Sequence, residues 1–166
     1  MIKMLAPAIL FREELHQLSL MKMYSDEAYY FSAGSSFNSE LEVENEADRF
    51  QYAILDDDKK VIGYFSYYID YRNMRAFGLA AMNFSDKPNI IIGLDILREI
   101  NKLLVNERVH KITWMSSSEN PALRSYLRFC FKNNGRFYIL KDEYINREGR
   151  FSDIYVFDII KEGVRI

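Results

Sequence analysis

Gly93 stands near the start of a predicted helix, after a strand of mostly small residues, Phe77-Gly78-Leu79-Ala80-Ala81-Met82-Asn83-Phe84, and a short loop. A helix N-terminus offers unsatisfied N–H groups and the positive end of the helix dipole, which suits a pyrophosphate. A glycine there lets a ligand approach the backbone closely. The competing reading is a glycine that lets the helix pack tightly, and the local sequence by itself favours it. Other chemistries are poorly served. The chain has no Gly-x-Ser-x-Gly elbow, no phosphate-binding Gly-Lys-Ser/Thr loop and no His-Glu-x-x-His. His16 and His110 are the only histidines and Cys130 the only cysteine, so neither a transition-metal site nor an internal disulfide is expected. Cys130 falls on an apolar stripe with Leu123, Tyr126, Leu127 and Phe131, a place for a packed thiol rather than a nucleophile.

The elements that must hold these residues follow from periodicity. Phe11, Leu15 and Leu18 recur at helical spacing, so the N-terminal third reads as helical, with a second short helix from Ser25 to Ala33. Residues 34–45 read as a polar loop. The period then changes to that of strands: Phe50–Leu55, Val61–Tyr71 and Met74–Phe84, joined by Asp56-Asp57-Asp58-Lys59-Lys60 and Arg72-Asn73. They form an antiparallel meander. A helix follows over Asn89–Asn106, its stripe carried by Ile90, Leu94, Leu97, Ile100 and Leu104. Val109–Met115 is a strand. Asn120-Pro121 opens another helix, with Pro at a favoured first-turn position and Gly135 as its stop. Phe137–Leu140 and Ile154–Ile160 close the chain as two strands. A strand–helix–strand unit joined to a meander predicts an α/β class in the α+β sense: a mixed sheet with helices on both faces.

At 166 residues, with 49% hydrophobic and 28% charged side chains, the chain has the size and composition of one globular domain. Its 12 Phe and 12 Tyr suggest walls that are apolar on one side and wet on the other. A net charge of −2 argues against a nucleic-acid binder. The N-terminus lacks the apolar run of a signal peptide and no stretch approaches a membrane span. No nucleic-acid or membrane partner is expected, and the lone cysteine fits a reducing cytoplasm.

More specific text lies further along. Ile112-Thr113-Trp114-Met115 runs into Ser116-Ser117-Ser118-Glu119 and then Asn120-Pro121-Ala122-Leu123-Arg124-Ser125-Tyr126. A strand ending in small polar residues, an Asn at a helix start and a Tyr two turns later resembles the GNAT superfamily of N-acetyltransferases. The order of elements from about residue 50 to residue 160 is similar to that family's as well. Val61-Ile62-Gly63-Tyr64, Gly93-Leu94-Asp95, Trp114 and Asn120-Pro121 look like a divergent bacterial and prophage branch.

The resemblance implies one acyltransferase-like domain over residues 1–166, acetyl-coenzyme A as co-substrate without a metal, and direct acetyl transfer to an amine of a small molecule or protein. It leaves the oligomeric state open, a homodimer included. It implies that main-chain groups of Met82, Asn83 and Phe84 meet the pantetheine arm, with N–H groups near Leu79–Met82 stabilising the oxyanion. Asn89, Ile92, Gly93, Leu94 and Asp95 would hold the pyrophosphate, Asn120 would bond the pantetheine amides, and Tyr126 would protonate the departing thiolate. Ile90 and Asp95 depart from the family's usual Gln/Arg and Gly/Ala around that glycine. Many members carry a Glu on the third meander strand. Here that strand has no carboxylate, which leaves Asp70, Glu119, Asp153 or a water chain as the base. The alternative reading is a catalytically inactive binding or regulatory module of the same fold.

Overall fold

The computed structural model describes residues 4–23, 41–85, 90–106, 109–145 and 149–161. The strands are β1 (Met4–Pro7), β2 (Arg49–Leu55), β3 (Val61–Asp70), β4 (Arg75–Asn83), β5 (Lys111–Ser117), β6 (Arg136–Ile145) and β7 (Phe151–Ile160). The α-helices are α1 (Arg12–Met23), entered through a 3-10 turn at Ala8–Phe11, α2 (Ile90–Asn106) and α3 (Leu123–Lys132). The strands form one seven-stranded sheet in the order β1-β2-β3-β4-β5-β7-β6. Every pairing is antiparallel except β4 with β5. Among the described residues no helix is long and apolar enough to cross a membrane.

Alternation along the strands sorts the core into two layers. Phe65, Tyr67 and Ile69 of β3 face α2, whose Ile92, Ile96, Ile100 and Leu103 lie on that side. Trp114 of β5 and Phe157 of β7 extend this layer beneath α3, their rings stacked at 4.9 Å. Val61 and Tyr64 point the other way, to Leu15 of α1, Val43, Ala53 and Leu55. The mixed sheet with helices on both faces is therefore as the sequence predicts.

The meander turns are closed by aspartates. Asp56 Oδ1 accepts the amides of Asp58 and Lys60, and Asp70 Oδ1 those of Arg72 and Asn73. Such local bonds are why aspartate initiates turns.

Several expectations shift. Met4–Pro7 is a strand on the sheet edge, not helix. It shows no alternation to read, and its pairing with β2 decides its state. Pro7 ends it, and an edge tolerates a residue without a donor. The strand expected at Val109–Met115 runs over Lys111–Ser117, because β7 supplies partners as far as Ser117. The last two strands are longer than Phe137–Leu140 and Ile154–Ile160, since the hairpin continues through the charged segment 141–143 as a bulge. The helix expected from Asn89 is described from Ile90, and that from Asn120 begins at Leu123 after a turn. At the end of α3 the left-handed residue is Asn134, φ 52°, rather than Gly135. Gly135 donates to the Cys130 carbonyl at 2.8 Å and Asn134 to that of Phe131 at 3.1 Å, a Schellman ending with Asn in the glycine position. Glycine is required at 135 for space: a Cβ would stand 2.6 Å from Cys130 Sγ and 2.8 Å from the Asp158 carbonyl. The helix expected over Ser25–Ala33 lies outside the described residues.

Candidate active site

β4 and β5 pair over only two positions, Arg75 with Lys111 and Ala76 with Ile112. The cause is visible in β4. Between the pairs Tyr68–Phe77 and Ser66–Ala80, β4 carries one residue more than β3. This bulge falls at Gly78, whose φ is +61°. A left-handed residue inside a strand bends it and sharpens its twist, and glycine takes that conformation at least cost. Beyond Gly78 the two parallel strands are no longer paired, and a gap opens toward Asn83 on one side and Ser117 on the other. Ala80 and Ala81, the small residues on its β4 margin, are exposed.

Strand alternation decides which main-chain groups face this gap. The Phe84 amide donates to the Ile62 carbonyl at 2.9 Å, and Tyr64 stands opposite Met82. Met82 and Phe84 therefore turn their main chain toward β3, and Ala81 and Asn83 turn theirs toward the gap. Met82 and Phe84 also pack their side chains on the α1-side core. Asn83 Oδ1 accepts the Ser85 amide at 3.0 Å and the Ser85 hydroxyl, which fixes the end of β4.

α2 begins after β4. Ile92 is buried, and its Cδ1 would stand 3.4 Å from a Cβ at Gly63, so its side chain belongs to the core and only its backbone can face a ligand. Gly93 is different: a Cβ built there meets no described residue within 4 Å. Among the described residues, helix packing, the reading the local sequence favours, does not account for this glycine. Asn89 and Lys87 lie outside the described residues. Leu94 and Asp95 belong to α2, but their side chains are likewise outside the description.

Across the gap, β5 ends in a polar turn. Ser117 Oγ accepts the Glu119 amide at 3.2 Å, and Ser118 Oγ accepts the Asp153 amide at 3.2 Å, tying the turn to β7. Asn120 Oδ1 accepts the Ala122 amide at 2.9 Å, so the side chain the sequence singles out also shapes the entry to α3. Tyr126 sits one turn further on, its ring edge-on to Trp114 and Phe157 at 6.4 and 6.3 Å. Burial raises its phenol above the ordinary tyrosine value. A packed ring is expected of a core tyrosine, but so is a partner for its hydroxyl. None is formed with another described residue. Among the described residues four side-chain polar atoms are buried without a hydrogen bond, Arg49 Nε, Trp114 Nε1, Glu119 Oε2 and Ser152 Oγ, and two of them, on Trp114 and Glu119, belong to β5 and the turn after it.

The other candidate carboxylates are placed differently. Asp70 lies at the closed end of the β4–β5 seam. Its Oδ2 accepts from Asn73 Nδ2 and Arg75 Nε, and its bonds to Asn73 hold its pKa below the usual carboxylate value. Asp153 receives the Asp142 amide and pairs with Lys141 at 3.4 Å. Glu119 alone of the three belongs to the turn after β5. Cys130 is fully buried, 3.4 Å from the Arg136 carbonyl, and burial followed by nearby Asp158 pushes its thiol up, against nucleophilic use. Among the described residues, no group of three or more His, Cys, Asp or Glu is arranged to hold a metal ion. Within the Leu79–Met82 stretch expected to present its main chain, the strand alternation beyond the Gly78 bulge turns Ala81 toward the gap.

This architecture is that of the GNAT N-acetyltransferases. A chimera of the Vibrio cholerae spermidine N-acetyltransferase SpeG and hSSAT superposes with a TM-score of 0.66 over 97% of this chain and 96% of its own, at 20% identity. A protein provisionally named as a phosphinothricin N-acetyltransferase gives 0.68 over 97% and 98%, at 13% identity. SpeG from Vibrio cholerae in complex with manganese ions gives 0.53 over 70% and 67%, at 20% identity. No protein-family model matches the sequence, and no curated protein matches it. The likeness is one of fold.

Proposed function

We propose that this chain is an acetyl-coenzyme A-dependent N-acetyltransferase that transfers the acetyl group directly to an amine. The observation that carries the reading is the gap beyond the Gly78 bulge: the main chain of Ala81 and Asn83 turns away from β3 toward it, with Gly93 at the start of α2 and, on α3, a Tyr126 hydroxyl that bonds no other described residue. The residues fit the co-substrate. A glycine whose Cβ would meet no described residue leaves room for a pyrophosphate against the first turn of a helix. The substrates for which the similar proteins are named, spermidine and phosphinothricin, are amines, which supports an amine acceptor.

When bound, acetyl-coenzyme A supplies a thioester activated toward attack by an amine. The chain's own groups do the rest. The outward amide of Ala81 donates to the carbonyl oxygen as negative charge develops on it. One such preorganised donor contributes about 10²–10³ in rate. The outward main chain of Asn83 holds the pantetheine amides alongside β4, and Asn120 holds them from the α3 side. Tyr126 keeps its proton on Oη at neutral pH and offers it to the departing sulfur. An ordinary thiol, with a pKa of about 8.5, is less basic than a buried tyrosinate, so the hydroxyl acts chiefly as a hydrogen-bond donor rather than by complete transfer. Glu119, with one oxygen lacking a partner, takes the proton the amine loses.

The test is calorimetric titration with acetyl-coenzyme A and with desulfo-coenzyme A, followed by thiol release with a panel of amines. Binding of both ligands with thiol release is the expected result. Binding without release from any amine would support a non-catalytic module, and no binding of either would end the proposal.

A further inference from the structure

We propose that Tyr68 is a positioning residue for the oxyanion donor: its ring holds the bulge at Gly78, and through it the direction in which the Ala81 amide points. The proposal rests on the acetyltransferase reading above and adds to it a side chain on the neighbouring strand. Tyr68 stands between Arg49 of β2 and Phe77 of β4 in the strand register. The Arg49 guanidinium lies over its ring, 5.3 Å from the centroid, and Phe77 stacks on it at 5.6 Å and 23°. The Arg75 guanidinium lies over Phe77 in turn, at 5.1 Å, while its Nε pairs with Asp70 at 3.3 Å. Four side chains from three strands thus form one row beside the bulge. The row lies on the α1 side of the sheet, because Tyr68 shares the face of Tyr64.

The row meets the bulge through one close approach. A Cβ at Gly78 would stand 3.0 Å from Tyr68 Cδ2 and 3.6 Å from Cε2, so the ring fills the side on which any other residue would carry its side chain. Gly78 is the only glycine in β4, so the extra residue of the bulge sits there at least cost. Beyond it, Ala80 and Ala81 have too little side chain to fix the register by packing. A slip of one residue reverses the alternation, and the Ala81 amide would then point to β3 instead of the gap. The far end of the strand is secured separately, by the Phe84 amide on the Ile62 carbonyl at 2.9 Å and by the bonds from Ser85 to Asn83 Oδ1. Loss of the Tyr68 ring therefore loosens β4 between Gly78 and Ala81, where the oxyanion donor lies, and leaves the strand end in place.

The test is isotope-edited infrared spectroscopy of acetyl-coenzyme A labelled at its acetyl carbonyl and bound at saturation. A hydrogen bond to the carbonyl oxygen weakens the C=O bond and lowers its stretching frequency, so the band reads the donor without any acceptor amine. Binding to the wild type should lower the frequency. Tyr68→Phe should keep the full shift, and Tyr68→Leu should lose at least half of it while coenzyme A still binds by calorimetry. With an accepted amine, kcat of Tyr68→Leu should fall by up to about 10²–10³, the contribution of one such donor, at a nearly unchanged KM for acetyl-coenzyme A. Phe77→Leu, which removes only the stacking partner, should move the band the same way by less. A folded Tyr68→Leu protein that keeps the full shift would overturn the proposal. So would an equal loss in Tyr68→Phe, which would place the effect in the hydroxyl. Should Tyr68→Leu fail to fold, Phe77→Leu decides, and an unmoved band there overturns the proposal. Wild-type protein that binds acetyl-coenzyme A without lowering the frequency would end the role of Ala81 and this proposal together, whereas no binding would end the acetyltransferase reading itself.

Discussion

Replacing Gly93 with alanine should raise the stability of the free protein and lower its affinity for acetyl-coenzyme A. The two effects have separate causes. Gly93 is the fourth residue of α2, and a Cβ there meets no described residue within 4 Å. The methyl therefore meets no clash, and the variant gains helix propensity and loses unfolded-state entropy, together about 0.5–1 kcal/mol. For a chain of this length that is a rise in thermal midpoint of roughly 1–4 °C. If a pyrophosphate lies against the same face, the methyl stands where the ligand must come. A tenfold loss of affinity corresponds to about 1.4 kcal/mol. The wild type at 100 times its dissociation constant would be stabilised by about 2.7 kcal/mol, and the variant at the same ligand concentration by about half of that. The loss exceeds the gain, so the order of the two midpoints should invert on adding ligand. Differential scanning calorimetry with and without acetyl-coenzyme A reads both halves. A stabilised variant that binds as tightly as wild type would remove the pyrophosphate from Gly93. A destabilised variant would mean that the glycine packs against something after all.

Tyr126→Phe should leave stability at neutral pH nearly unchanged, because the hydroxyl bonds no other described residue, and should slow thiol release by about 10², the low end for a general acid. Burial raises the Tyr126 pKa, so the wild type should lose stability as pH climbs above the ordinary tyrosine value, and the Phe variant should lose less in alkaline melts. Glu119→Gln should slow thiol release by about 10² while calorimetric binding of acetyl-coenzyme A persists. An unchanged rate would remove Glu119 from proton transfer. Gly135→Ala should destabilise by roughly 1–3 kcal/mol through overpacking, since the methyl collides with the Asp158 main chain as well as Cys130 Sγ. A neutral effect in denaturant titration would contradict that packing. The Asp70 pKa is held down in the folded state, so its contribution is present above the ordinary carboxylate range and lost as pH falls through the lowered value. Asp70→Asn should therefore be less stable than wild type at pH 7, and the difference should shrink in acid melts.

Residues whose local pattern and tertiary role agree were legible in the sequence. β3 is β-branched and aromatic along its length, α2 carries a continuous apolar stripe, and the Asp56 and Asp70 turns announce themselves by composition, so the meander and its crossover follow from pattern. Residues whose state is fixed by a distant partner were not legible. Met4–Pro7 becomes a strand only because β2 is there to pair with it. The hairpin extends past Leu140 because Asp153 receives the Asp142 amide across it. Asn134 takes the left-handed position beside a glycine that was the obvious candidate. At the site, Gly93 and Tyr126 could be picked out by type and position, but their meaning required the structure. That no described residue crowds Gly93 or bonds the Tyr126 hydroxyl is a property of surroundings, and no single chain position encodes it.

The seam between β4 and β5 also bears on how the molecule comes apart. Strands β1 to β4 and strands β5 to β7 are each contiguous in sequence, and only two residue pairs join their ladders. Each half can complete its own strand pairing without the other, and the parallel junction must wait for α2 to cross over. Parallel pairing across a long connection is entropically costly and slow to form. The seam is therefore the weakest ladder in the sheet, although one apolar layer continues beneath it. A ligand that bonds β4 on one side and β5 or α3 on the other would act as a strut between the two halves of the sheet, and would protect the junction against partial opening more than it protects either half.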